Sequence, residues 1–213
     1  MIETLYPIQI YKNHIDIKNL DQLIEPEFLK SLPIGDLQEY PLTPNTVTGY
    51  GSWYKIKDSE KLHAQSEFCL MMEIVNQHAK EFWNHLGYWP DIFPKPYQSW
   101  INISDRNGML SSHIHYNVPL SAVVYLDASP EQGNLVFEHP MSTLLGYCPI
   151  ANARHKLKQE VQVQTGDVVI FPGYLRHYTL SNNTDRPRIS FAINYNETGH
   201  FENYNTYPEE NKL

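Results

Sequence analysis

At 213 residues, 41% of them hydrophobic and 19% charged, the chain can bury a sizeable core as one domain, and it has no apolar run near the roughly 18 residues that a membrane span needs. A formal charge of −8 argues against tight, phosphate-driven binding of nucleic acid, which depends on a basic surface. Two cysteines, Cys69 and Cys148, are too few for a disulfide framework and are expected as reduced thiols; the mixed charges of MIETLYPIQIYKNHIDIKNL do not make a signal peptide, so a cytoplasmic protein is expected.

Taken in chain order, residues 18–31 place Leu20, Leu23, Ile24 and Phe28 on one helical face before Pro33 stops the pattern. Residues 59–86 repeat Leu62, Cys69, Met72, Val75, Ala79, Phe82 and Leu86 at steps of three, four or seven, which predicts one long amphipathic helix. Residues 1–97 are therefore expected as a mostly helical flank. After the breaker-rich GYWPDIFPKP the period shortens to that of strands: SWINIS, SSHIHYN, LSAVVYLDA, GNLVFEHP, VQVQTGDVVIFPG, RHYTL and PRISFAINYN. Arg106-Asn107-Gly108, Pro130-Glu131-Gln132-Gly133 and Ser181-Asn182-Asn183 are turn chemistry between them and suggest antiparallel hairpins. Seven or eight strands over 98–197 predict a mainly β core, a jelly roll or barrel with flanking helices, followed by a polar tail over 198–213.

Chemistry enters with the histidines. His113 and His115 are one residue apart in a strand-like run, so both point to one side. His177 opens another strand just past Gly166-Asp167-Val168-Val169-Ile170-Phe171-Pro172-Gly173, and a barrel brings it opposite the pair. Three neutral imidazoles with open positions suit iron(II), copper or zinc. Ten histidines also make a chance His-x-His pair a plain alternative; His14, His63, His78, His85, His139, His155 and His200 are read as surface or satisfied residues, and Trp100, Tyr125 and Phe171 as core filling. On the last strand Ile189, Phe191 and Ile193 form an apolar face, with Arg188, Ser190, Ala192 and Asn194 on the other. Arg188 either points inward to an anionic partner, such as a carboxylate ligand, or stands in a surface ion pair.

Trp100-Ile101-Asn102-Ile103, His113-Ile114-His115-Tyr116-Asn117, Leu120 to Leu126, Val136-Phe137-Glu138-His139-Pro140, Gly166 to Pro172, His177 and Arg188-Ile189-Ser190 together resemble the iron(II)- and 2-oxoglutarate-dependent oxygenases, in particular a branch of small bacterial and viral proteins with a His-x-His motif. The resemblance implies a double-stranded β-helix, the cupin-like jelly roll, with His113, His115 and His177 as catalytic metal ligands. It also implies Fe(II), O2 and 2-oxoglutarate as cosubstrate, the far carboxylate of which binds Arg188 and Ser190 while Asn102 serves the near one. Most of the family has Asp or Glu at position 115, so this site carries one less negative charge unless Glu138 or Asp105 joins the metal. The implied reaction is hydroxylation of a small-molecule or peptide substrate with release of succinate and CO2; homo-oligomerisation stays open. The rival readings are a cupin-like three-histidine dioxygenase or isomerase without 2-oxoglutarate, and a non-catalytic jelly-roll binding module.

Overall fold

The computed structural model describes residues 7–16, 20–31, 46–50, 61–88, 91–142 and 157–196. A six-stranded antiparallel sheet runs β1-β7-β4-β9-β3-β2, where β1 is Tyr11–His14, β2 Thr46–Tyr50, β3 Lys95–Ser104, β4 Leu120–Asp127, β7 Asp167–Pro172 and β9 Arg188–Asn196. It faces a three-stranded sheet, β6-β5-β8, built from β5 Leu135–Glu138, β6 Lys158–Val161 and β8 His177–Thr179. This is the double-stranded β-helix implied by the resemblance.

Alternation along each strand sorts the large sheet into two faces. Leu120, Ala122, Val124 and Leu126 of β4, Val168 and Ile170 of β7, and Ile189, Phe191, Ile193 and Tyr195 of β9 form one core with the helices. Val123, Tyr125, Val169 and Phe171, on the opposite parity, join Leu135, Phe137 and Leu175 in a second core toward the small sheet. The helix on the outer face is α3, Cys69–His85, which buries Met72, Val75, Ala79 and Phe82. Phe68, just before it, packs its ring 4.8 Å from that of Phe191, and the Tyr195 hydroxyl donates to Asn76 Oδ1 at 2.9 Å. No helix among the described residues is long and apolar enough to cross a membrane.

Several expectations change. The helix expected over 59–86 begins only at Cys69, after two 3-10 turns at Leu62–Ala64 and Ser66–Phe68 separated by an extended Gln65; Cys69 is an exposed thiol, and Phe68 is buried instead. The helix expected over 18–31 is two, α1 Leu20–Leu23 and α2 Pro26–Ser31. Pro26 is the cause: it has no N–H to continue a helix and disfavours helical backbone at Glu25, yet suits the first position of a new one. The flank is also not only helical, since β1 pairs with β7 and β2 with β3.

The expected hairpins are crossovers. Residues 130–133 lead from β4 in the large sheet to β5 in the small one, and 181–183 from β8 back to β9. VQVQTGDVVIFPG, read as one run, divides between β6 and β7, which belong to different sheets, with Gly166 (φ +87) at the bend. Pairing in a jelly roll is between distant segments, so turn residues mark where strands end without naming their partners.

Candidate metal centre

The run 111–117 is not a regular strand. His113 makes a single two-way bridge with His177, N–H to O at 2.9 and 3.0 Å, and the His115 N–H donates to the Gly173 carbonyl at 2.9 Å. Tyr116 then turns out to solvent, 80% exposed, and Asn117 takes a left-handed φ of +58. Backbone pairing to the start of β8, rather than strand alternation, brings the three imidazoles together.

Their ring centroids lie 4.3 Å (His113–His177), 5.1 Å (His113–His115) and 5.1 Å (His115–His177) apart, and one nitrogen from each falls within 4.8 Å of the others. The tautomers of two are dictated by acceptors. His113 Nδ1 sits 2.6 Å from the Ser111 carbonyl and His177 Nδ1 2.8 Å from that of Leu175; a carbonyl only accepts, so both Nδ1 atoms carry the proton and both Nε2 lone pairs are free. Burial, the largest cause, holds all three below the ordinary histidine pKa. It combines with the neighbouring His113 to bring His115 down to about 3, and with His113 and His115 to bring His177 well below. The nearby Arg176 guanidinium adds to the depression at His113 and His177, against the Ser111 and Leu175 carbonyls. Neutral imidazoles with bare nitrogens aimed at one point are the donor set of a late first-row divalent ion, so the residues fit iron(II).

Among the described residues no carboxylate belongs to this group. The Glu138 carboxylate instead accepts from Ser112 Oγ at 3.3 Å, with Lys158 Nζ 3.9 Å away. His14, His63 and His78 are partnered elsewhere, by Asp167, Ser99 and Tyr11, while His139 accepts the Met141 N–H. His155 and His200 lie outside the described residues. Phe171 (4.6 Å) and Phe137 (6.1 Å) pack on the His177 ring and Trp100 (5.9 Å) on that of His115, so Phe171 and Trp100, read as core, are with Phe137 an apolar wall on one side of the cluster.

Arg188 is 2% exposed and points between the sheets. Its Nη1 donates to the carbonyls of Gln132 (2.7 Å), Gly133 (2.8 Å) and Leu180 (3.2 Å), and its Nη2 to Thr179 Oγ1 (2.7 Å) and Ser104 Oγ (3.2 Å). None of these acceptors is anionic, so the surface ion pair does not describe it, and among the described residues it has no carboxylate partner. Thr179 lies two residues along β8 from His177, on the same side of that strand. Ser190 pairs with Asn102 on β3 and Tyr125 on β4, all of them buried, and Asn102 Oδ1 has no hydrogen-bond partner among the described residues. Two polar residues not singled out in sequence, Gln98 and Ser121, complete the interior with Asn194. Asn194, Gln98 and Ser121 form a hydrogen-bonded group that reaches His115 Nδ1. Their signal was polar residues at every second position of otherwise apolar strands.

Comparison with known proteins agrees with this geometry. Residues 98–194 match the family model described as "Putative 2OG-Fe(II) oxygenase". A search of curated proteins finds no significant match. Among solved structures, HygX from Streptomyces hygroscopicus, with nickel and 2-oxoglutarate bound, is similar over 90% of this chain and 84% of its own at 15% identity, with a TM-score of 0.58. A prolyl-4-hydroxylase from Pseudomonas putida is similar over 90% and 94% at 13% identity, with a TM-score of 0.57. A 2OG-Fe(II) oxygenase-family oxidoreductase from Burkholderia pseudomallei covers 85% and 79% at 12% identity, with a TM-score of 0.54. At these identities the structures speak for the fold, and it is the sequence match over residues 98–194, somewhat under half of the chain, that likens this core to the 2OG-Fe(II) oxygenases.

Proposed function

We propose that this oxygenase binds one iron(II) through His113, His115 and His177, holds 2-oxoglutarate between that metal and Arg188, and hydroxylates a small-molecule or peptide substrate. The observation that carries the reading is a charge imbalance inside the barrel. Three neutral imidazoles leave a divalent metal uncompensated, and among the described residues the acceptors of a buried guanidinium, that of Arg188, are all neutral. Desolvated positive charge calls for an anion, and a dicarboxylate brings two negative charges to the same cavity. Ser190 and Asn102, paired across β9 and β3 and both buried, are the neighbouring donors for it, through the serine hydroxyl and the asparagine side-chain N–H.

The oxidising chemistry comes from iron(II), 2-oxoglutarate and dioxygen when bound, with succinate and CO2 as products and a substrate C–H bond hydroxylated. The chain's own part is orientation and exclusion. The Ser111 and Leu175 carbonyls hold two imidazoles in the metal-binding tautomer, Phe137, Phe171 and Trp100 keep water from the rings, and the exposed end at Tyr116 leaves one side open. A small-molecule substrate has a precedent in HygX, which has also been solved with hygromycin B bound.

The test is anaerobic titration with iron(II) and then 2-oxoglutarate, followed by succinate measurement in air. Wild type should take up one iron and develop the visible charge-transfer band of a chelated keto acid, and alanine at position 113, 115 or 177 should abolish both while His139→Ala leaves them intact. Iron uptake without the band or succinate would favour a three-histidine enzyme that binds its substrate directly. Failure to bind iron would favour a binding module.

A further inference from the structure

We propose that Asn194 orients His115 for metal binding: its side-chain oxygen accepts the Nδ1 proton of His115 and so bares Nε2 toward the other two imidazoles, with Gln98 and Ser121 holding the amide in place. The inference rests on the reading of His115 as a metal ligand.

The three histidines are not secured alike. For His113 and His177 the Nδ1 partner is a backbone carbonyl two residues earlier, which no substitution at another position removes. The ring-nitrogen partner of His115 is a side chain, Asn194 Nδ2 at 3.4 Å. In that orientation the amide N–H donates to Nδ1 and the imidazole proton falls on Nε2, the nitrogen that has to present a lone pair. The two ends of a carboxamide have nearly the same shape, so the hydrogen-bond network decides which way it lies.

The network around Asn194 supports the reverse orientation. Asn194, Gln98 and Ser121 are 4%, 6% and 2% exposed. Asn194 Nδ2 also donates to Gln98 Oε1 at 3.2 Å, and Asn194 Oδ1 accepts from Ser121 Oγ at 2.7 Å, which leaves Gln98 Nε2 buried with no acceptor. Turning both amides over gives the His115 Nδ1–H and a Gln98 N–H an acceptor and changes which groups are left over. Asn194 Oδ1 then accepts from His115 Nδ1 and from Gln98 Nε2, while Asn194 Nδ2 donates to the Ser121 hydroxyl, which can serve in either sense. The groups left over become the Gln98 carbonyl and the proton of the rotatable Ser121 hydroxyl, and a buried carbonyl without a partner is tolerated better than a buried N–H. With this arrangement all three imidazoles carry the proton on Nδ1, and three bare Nε2 atoms converge.

Long-range nitrogen–proton correlation spectra of metal-free, 15N-labelled wild type, above neutral pH and with His115 assigned against His115→Gln, read the tautomer without any variant at position 194. The proposal expects Nδ1–H at His115; a predominant Nε2–H form overturns it. Anaerobic iron(II) titration supplies the second readout. Loss of such an outer partner weakens metal binding by roughly ten- to a hundredfold, expected for Asn194→Leu, while Asn194→Asp keeps an acceptor in place and restores affinity. Undiminished affinity in Asn194→Leu, with wild type loading normally, overturns the proposal and leaves the metal site standing. Wild type that takes up no iron overturns both.

Discussion

Arg188 shows how one residue serves fold and site together. The resemblance casts it as a cosubstrate ligand, which on its own would let Arg188→Lys fold normally. The structure gives its guanidinium five neutral acceptors drawn from β3, β8 and the 130–133 and 180 crossovers. A lysine ammonium places three donors around one point and cannot span Gln132, Gly133, Leu180, Thr179 and Ser104 together. Arg188→Lys is therefore expected to cost about 2–4 kcal/mol, from lost charge-assisted bonds and stranded carbonyls. Urea unfolding of the metal-free protein measures it, and an unchanged midpoint would show that these bonds are replaceable. The cosubstrate role then has to be read under conditions where the variant is folded, from 2-oxoglutarate titration of the iron-loaded protein.

At the scale of elements, the crossover from β4 to β5 is the joint between the sheets, and it depends on Gly133. This residue has φ +94, and a Cβ there would collide with the Leu180 carbonyl and lie 2.7 Å from Arg188 Nη1. Gly87 also has a positive φ, +76, but a Cβ would find nothing within 4 Å. The pair separates backbone strain from crowding. Gly87→Ala should cost about 1–2 kcal/mol, the ordinary penalty of a left-handed alanine. Gly133→Ala should cost clearly more, upward of about 3 kcal/mol, because crowding and a displaced Arg188 add to the same strain. Equal thermal unfolding temperatures for the two variants would show that the crossover relaxes without cost. The His113–His177 bridge is a joint of the same kind: the run 111–117 is strand-like in sequence, yet its pairing is a single bridge to the start of β8.

For the whole molecule, burying three imidazoles links stability to pH. Unfolded histidine titrates near 6.5, whereas His115 in the fold is held near about 3, with His113 and His177 also depressed. Between those values the unfolded chain binds more protons, so the metal-free protein should lose stability as pH falls from about 6.5 toward about 3, and keep the full contribution above that range. Urea midpoints across the interval, compared with His115→Gln, isolate the effect from the carboxylates: the variant should show the shallower slope, and identical slopes would refute it. The sequence by itself indicated the class of fold, the two faces of β9 and the three histidines as candidates for one site, because side-chain alternation along β9 is local and the His-x-His pair and Gly-Asp to Pro-Gly run stand in the order the resemblance needs. It also placed Arg188, Ser190 and Asn194 on one inner face. Only the tertiary structure decided that 111–117 is a bridged loop, that the turns cross between sheets, that β1 and β2 extend the large one, and that Asn194 meets His115. Those outcomes rest on hydrogen bonds between segments far apart in the chain, such as β3 with β9 and β1 with β7, and no local period encodes a distant partner.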